Sequence, residues 1–182
     1  SIHHVMVIQS IAQVLKSLDI KCVPFLPVVM PLLLNASRSP EANLRETAVE
    51  HLGQIVGVVR LHVRKYLPSL LTLVQEHLRS VGSMQMHCIT LVEELSSALC
   101  GEFRCHLLAL MPMLLAVLHA DCSEKRLPTL KLLHALNVFR QNMASQLHMV
   151  LPAVLRICEQ VDTMAHVRSS ALDFLRRVCD QL

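Results

Sequence analysis

The chain of 182 residues is 53% apolar, 17% charged and +3 in net charge with histidines neutral, and its mean hydropathy of +0.46 is high for a soluble protein. The weak positive charge and five aromatic residues, none of them tryptophan, offer little to phosphates or unstacked bases, and the longest charge-free apolar runs (Val23–Leu34 and Leu107–Leu118) have twelve residues, short of the ~20 that cross a bilayer. Seven cysteines, an odd number without CxxC spacing, point to reduced thiols inside a cell.

In chain order, Ser1–Leu18 reads as a first helix, its stripe made of Ile2, Val5, Met6, Ile8, Ile11, Ala12, Leu15 and Leu18. A turn follows around Asp19. The partner helix opens near Pro24, which suits a first helical position, with Pro27 still in the first turn. Pro31 lies deeper and should kink or restart that helix. The next pairs are Pro40–Val59 with His62–Ser80, Ser83–Cys100 with Glu102–His119, and Ser123–Phe139 with Met143–Gln160; a last helix, Thr163–Leu182, stands without a partner. Turn residues separate them at Asn35–Ser37, Ser39-Pro40, Val81–Ser83, Gly101 and Asp121–Ser123, and Ser83 and Ser123 are candidate N-caps.

Two residue columns run through this order with a period near forty. FLPVVMP, YLPSLLT, HLLALMP and QLHMVLP align Leu26, Leu67, Leu107 and Leu147, and end on Pro31, Thr72, Pro112 and Pro152. A second column, Arg45, Gln85, Arg126 and Arg168, advances by 40, 41 and 42 residues. Small and aliphatic residues follow it at spacings of three, four and seven, which gather on one helix face. Two helices per ~40–47 residues describe a HEAT- or armadillo-like α-α solenoid. The expected organisation is all-α, one segment of a longer array with about four and a half helix pairs, in units of approximately 1–37, 38–80, 81–120, 121–160 and a partial 161–182. The apolar excess and the start at Ser1 fit a segment whose neighbours cover both ends.

Chemistry is scarce in the pattern. Cys100, Cys105, His106, His119 and Cys122 form the densest set of metal-ligand types, but they lack the paired spacing of a structural zinc site, and adjacent Cys105 and His106 point ~100° apart on a helix. Glu93-Glu94 and the trio Arg45, Glu46, Glu50 read as solvated or paired helix carboxylates. No glycine-rich phosphate loop or kinase catalytic triplet occurs. Arg45, Arg126 and Arg168 could line an acidic partner; as equivalent positions of stacked repeats they more readily form a ladder onto helix-end carbonyls or carboxylates. Arg64-Lys65 and Arg176-Arg177 read as solvent-facing, and the nine methionines as core filler.

HHVMVIQSI (His3–Ile11), KSLDIKCVPFLPVVMP (Lys16–Pro31), GEF (Gly101–Phe103), KLL (Lys131–Leu133) and LHMVLP (Leu147–Pro152) resemble the central HEAT-repeat region of the target of rapamycin kinases, most strongly over the first 35 residues. The resemblance implies a noncatalytic scaffold segment of a cytoplasmic serine/threonine kinase of the phosphatidylinositol-3-kinase-related class, acting in nutrient and growth signalling. It implies contacts with flanking repeats, a second protomer and a Raptor-type subunit, near where a small GTPase can act, and recruitment to lysosomal, vacuolar or other endomembrane surfaces through the parent complex, without direct membrane insertion. ATP and magnesium would belong only to the parent's kinase domain; no catalytic, cofactor or metal residue is expected here. The rival expectation is a free-standing HEAT adaptor of the transport-receptor or phosphatase-scaffold type.

Overall fold

The computed structural model describes residues 2–160 and 163–180. Among them the chain forms nine α-helices and no strand: α1 Ile2–Leu18, α2 Leu26–Ala36, α3 Ala42–Val59, α4 Leu67–His77, α5 Ser83–Leu99, α6 Arg104–Ala120, α7 Leu127–Phe139, α8 Leu147–Glu159 and α9 Ala165–Cys179. The expected helix ends at Ser1 and Leu182 lie outside the described residues. The helices fall into two compact units, Ser1–Cys100 and Gly101–Leu182.

Spacing explains which faces are buried. In α1 the buried residues are Ile8, Ala12 and Leu15, and in α9 Val167, Ala171, Phe174 and Val178, steps of three and four that make one narrow stripe. α3 buries Leu44, Ala48, Val49, Leu52, Ile55, Val56 and Val59, a wider face. The width follows from its neighbours: α3 packs against α1 on one side, α5 on the other, and α2 besides. Within the first unit α1, α3 and α5 thus stack in sequence, while α2 touches α4 and α4 reaches α5. In the second unit α6 packs on α7 and α8, and α9 on α7 and α8. Alternate helices form each layer.

The helices of a pair are joined by 3₁₀ corners rather than by loops: Asp19–Phe25, Arg60–Tyr66, Cys100–Phe103 and, for the last pair, Arg140–Asn142 followed by Ala144–Gln146. Four residues before each leucine of the first column, these corners carry Cys22, Val63, Phe103 and Met143, and all four are 0% exposed. This third column escapes inspection of the sequence because its residue types have only burial in common. Each side chain is the buried plug of its corner, and burying one the size of Phe103 is worth ~2–3 kcal/mol. The tight turn that aims the plug inward is strained. Asp19, Arg60 and Cys100 open their corners at φ 51°, 52° and 49°, where glycine is the usual occupant. The glycine foreseen as a turn, Gly101, sits one place too late: Cys100 takes the left-handed conformation.

These corners move several expected boundaries. α2 begins at Leu26 with Pro27 in its opening positions, and Pro24 falls inside the preceding 3₁₀ segment. The α-helical part of the next even-numbered helix begins at Leu67 rather than His62. Ser83 and Ser123 are not N-caps. Gly82, at φ 92°, precedes α5, and the Ser83 hydroxyl donates instead to Glu46; α7 starts at Leu127, with Arg126 before it at φ 47°, ψ 39°. Two stretches, Ile2–Ala36 and Ser83–Ala120, are apolar and long enough to resemble membrane spans. Each contains a left-handed residue, Asp19 or Cys100, that an uninterrupted α-helix does not accommodate.

Neither a break nor a restart occurs at the internal prolines. α2, α6 and α8 run on through Pro31, Pro112 and Pro152, whose rings are all exposed. Proline leaves the carbonyl four residues earlier without its helical donor. At Pro112 that carbonyl belongs to Leu108, and the buried Gln146 amide of the next corner donates to it at 3.2 Å. The proline thereby frees an acceptor that ties α6 to its neighbour.

Candidate functional site

The polar residues are concentrated at the edges of the helix pairs, where the chain passes from one pair to the next. Three members of the Arg/Gln column reach backward there. Arg45 Nη1 donates to the Ser39 carbonyl at 2.8 Å, Gln85 Nε2 to Leu78 at 3.0 Å, and Arg168 Nη2 to Gln160 at 2.9 Å. Each tie closes the connection that precedes its own helix. Leu78 and Gln160 stand at the C-terminal caps of α4 and α8, so those two bonds satisfy helix-end acceptors. Arg126 does not belong to this set, because its left-handed backbone stands just ahead of α7.

At that connection a carboxylate takes over. Asp121, 9% exposed, accepts from the backbone N–H and hydroxyl of Ser123 through Oδ1, and from the N–H and hydroxyl of Thr129 through Oδ2. Thr129 lies in the first turn of α7, so the carboxylate caps that helix from eight residues upstream. Burial alone would raise its pKa; the four bonds outweigh burial and hold it below the ordinary value of 3.8.

The remaining chemistry-bearing residues are engaged in packing or exposed singly. Among the described residues no three His, Cys, Asp or Glu side chains converge as a metal site. His119 Nδ1 lies 2.9 Å from the Leu115 carbonyl, and His106 packs on the Phe103 ring with centroids 5.9 Å apart. Cys105 and Cys122 are exposed free thiols, and the exposed Cys100 thiol donates to the Ser97 carbonyl at 3.4 Å. Cys88 is fully buried and its pKa is pushed up to about 12 by desolvation, which leaves it inert as a nucleophile. Burial likewise raises Cys22 and Cys158. Of the carboxylates, Glu46 accepts from Ser83, Glu50 from Gln54, and Glu93 is buried.

A family model described as the serine/threonine-protein kinase mTOR domain matches residues 1–60, covering α1 to α3. The chain is 34% identical over its whole length to the serine/threonine-protein kinase mTor of Drosophila melanogaster, and 35% identical over 97% of its length to the serine/threonine-protein kinase TOR of Arabidopsis thaliana. With TOR2 of Saccharomyces cerevisiae it shares 28% identity over 87% of the chain. The chain is a target of rapamycin family segment. It spans about 7% of the length of the fly and plant relatives and lies outside their catalytic part.

Two surfaces of this target of rapamycin segment are unusual for a solvated helix array. The outer face of α1 and α2 is apolar and open, with Val14, Phe25 and Val28 57%, 53% and 73% exposed. Two depressions follow it, one of about 330 Å³ around Ile11, Val14, Leu18 and Val29, another of about 690 Å³ around Val7, Leu32, Ala36 and Leu44. The second surface is cationic. Arg64 and Lys65 are exposed at the α3–α4 corner beside Arg60, and Lys65 Nζ stands 5.5 Å from the Tyr66 ring centroid. Arg176 and Arg177 are exposed too, but share Asp173 at 3.2 and 3.4 Å.

Proposed function

We propose that this chain is a noncatalytic HEAT-repeat scaffold segment of a target-of-rapamycin-like serine/threonine kinase, supporting dimerisation and partner-subunit docking. The observation that carries it is similarity along the whole chain to proteins named as such kinases, of which it matches only about 7%. The polar residues agree. They close loops and cap helices, and among the described residues none forms a nucleophile–base pair or a phosphate cradle. The open apolar face of α1 and α2 supports a further helix pair stacking there, as α3 stacks on α1. On this view the segment transmits position. Small rotations at each pair add along the array, carrying contacts with a second protomer, a Raptor-type subunit and a small GTPase toward a distant kinase domain that holds ATP and magnesium. The parent would work in the cytoplasm, recruited to lysosomal or other endomembrane surfaces through its complex.

Cross-linking of the purified parent particle through amine-reactive reagents tests this directly, since Lys16, Lys21, Lys65, Lys125 and Lys131 sample both units. Links from these lysines to another protomer or to a partner subunit are expected. Links confined to the parent's own kinase domain and its substrate cleft would contradict a scaffold role.

A further inference from the structure

The corners of the first unit concentrate the protein's positive charge. Residues 16–25 and 60–66 hold Lys16, Lys21, Arg60, Arg64 and Lys65 against one carboxylate, Asp19, whereas the whole chain is only +3. Three exposed cations elsewhere meet a carboxylate: Arg38 lies 3.3 Å from Glu76, and Arg176 and Arg177 share Asp173. Lys21, Arg60 and Lys65 are exposed and form no ion pair among the described residues. α1 and α3 lie side by side and each runs into its own corner, so the two corners share one edge of the unit. The left-handed residues Asp19 and Arg60 turn the chain so that the next side chain projects outward: Ile20 is 49% and Leu61 47% exposed, in equivalent places. Cys22 and Val63, two residues further on, point inward and are fully buried. The edge therefore presents two aliphatic knobs among the exposed cations Lys21, Arg60 and Lys65 on a strained, preformed backbone.

We propose that this edge binds an acidic protein segment in which aliphatic residues alternate with Asp and Glu. Charge complementarity selects the acidic partner, and the paired aliphatic side chains select a peptide with apolar residues over a purely acidic run. Stacked helices stand ~8–10 Å apart, so equivalent places on the two corners are about two to three extended residues apart, within reach of successive aliphatic residues of an alternating peptide. The peptide would lay one aliphatic residue near each knob and carboxylates toward Lys21, Arg60 and Lys65. This deepens the scaffold role by naming one surface and the chemistry of its partner, and it rests on that role only in taking the partner to be a protein.

The test uses the full-length parent and a fluorescein-labelled probe of about twelve residues, alternating Leu with Glu or Asp, read by anisotropy. Binding should weaken as salt rises, fall roughly tenfold or more in the triple variant Lys21→Glu, Arg60→Glu, Lys65→Glu, and fall less when the three are changed to Gln. The pair Ile20→Ser and Leu61→Ser should weaken it at unchanged charge. Equal affinity of wild type and both charge variants would overturn the proposal. So would tighter binding of the same peptide with Lys in place of its acids, or binding to phosphatidylserine-containing vesicles with none to the peptide. Cross-links to a second protomer in a particle that ignores the peptide would sink this surface alone and leave the scaffold role standing.

Discussion

The two kinds of connection in this molecule solve one problem by opposite means. Within a pair, the corner is repeated: a 3₁₀ turn and a fully buried plug at Cys22, Val63, Phe103 or Met143, the first three opened by a left-handed residue. Between pairs, every connection is tied by a polar side chain, and the ties differ, from Arg45 on Ser39 to Gln85 on Leu78, Asp121 on Ser123 and Thr129, and Arg168 on Gln160. Burial is non-directional, so any apolar residue of suitable size serves as a plug. Hydrogen bonds are directional, so each connection needs a donor or acceptor suited to its own backbone.

That contrast can be broken by substitution, with local stability read from hydrogen exchange in the parent chain. The largest effect belongs to the corners: Phe103→Ala should cost ~3–5 kcal/mol, seen as loss of protection across α6. A smaller loss, confined to one site, would show that the plug is dispensable. Next comes the buried tie. Asp121→Ala should cost ~2 kcal/mol at neutral pH by leaving the first turn of α7 uncapped. Its folded pKa lies below the ordinary 3.8, so the carboxylate contributes its stabilisation above that value and loses it as pH falls through the lower, folded one. Wild type should therefore lose α7 protection more steeply than Asp121→Asn on acidification from about pH 5 toward 3. Parallel curves would remove Asp121 from the account.

Two substitutions should stabilise. Pro31→Ala restores a helical donor on an exposed face and should gain ~1–2 kcal/mol without disturbing packing. Destabilisation would mean that the proline shapes a contact. Arg60→Gly relieves the left-handed corner and should gain ~0.5–1 kcal/mol, whereas Leu61→Gly, beside it, should not.

The helix-pair architecture was legible in the sequence because the Leu26 and Arg45 columns keep both a residue type and a forty-residue period. The plug column keeps only burial, and burial is decided by what α3 or α8 packs against, which no single position announces. Asp121 was missed for another reason. Capping is recognised over three residues, and here the carboxylate reaches Thr129 across eight. The prolines were read as bends or restarts; the helices continue through all three, and at Pro112 the Gln146 bond to the Leu108 carbonyl uses the acceptor the proline frees, which depends on a residue more than thirty positions away. The cationic edge was half visible as Arg64-Lys65; stacking α3 beside α1 is what adds Lys21 to it.

The most direct test of a scaffold without chemistry is steady-state phosphoryl transfer to a short peptide by the parent carrying Phe103→Ala, with particle mass recorded on the same sample. The prediction is a kcat and a KM for ATP within about twofold of wild type, while assembly shifts toward smaller particles. A loss of roughly tenfold or more in kcat/KM for ATP, in particles of unchanged mass, would contradict it.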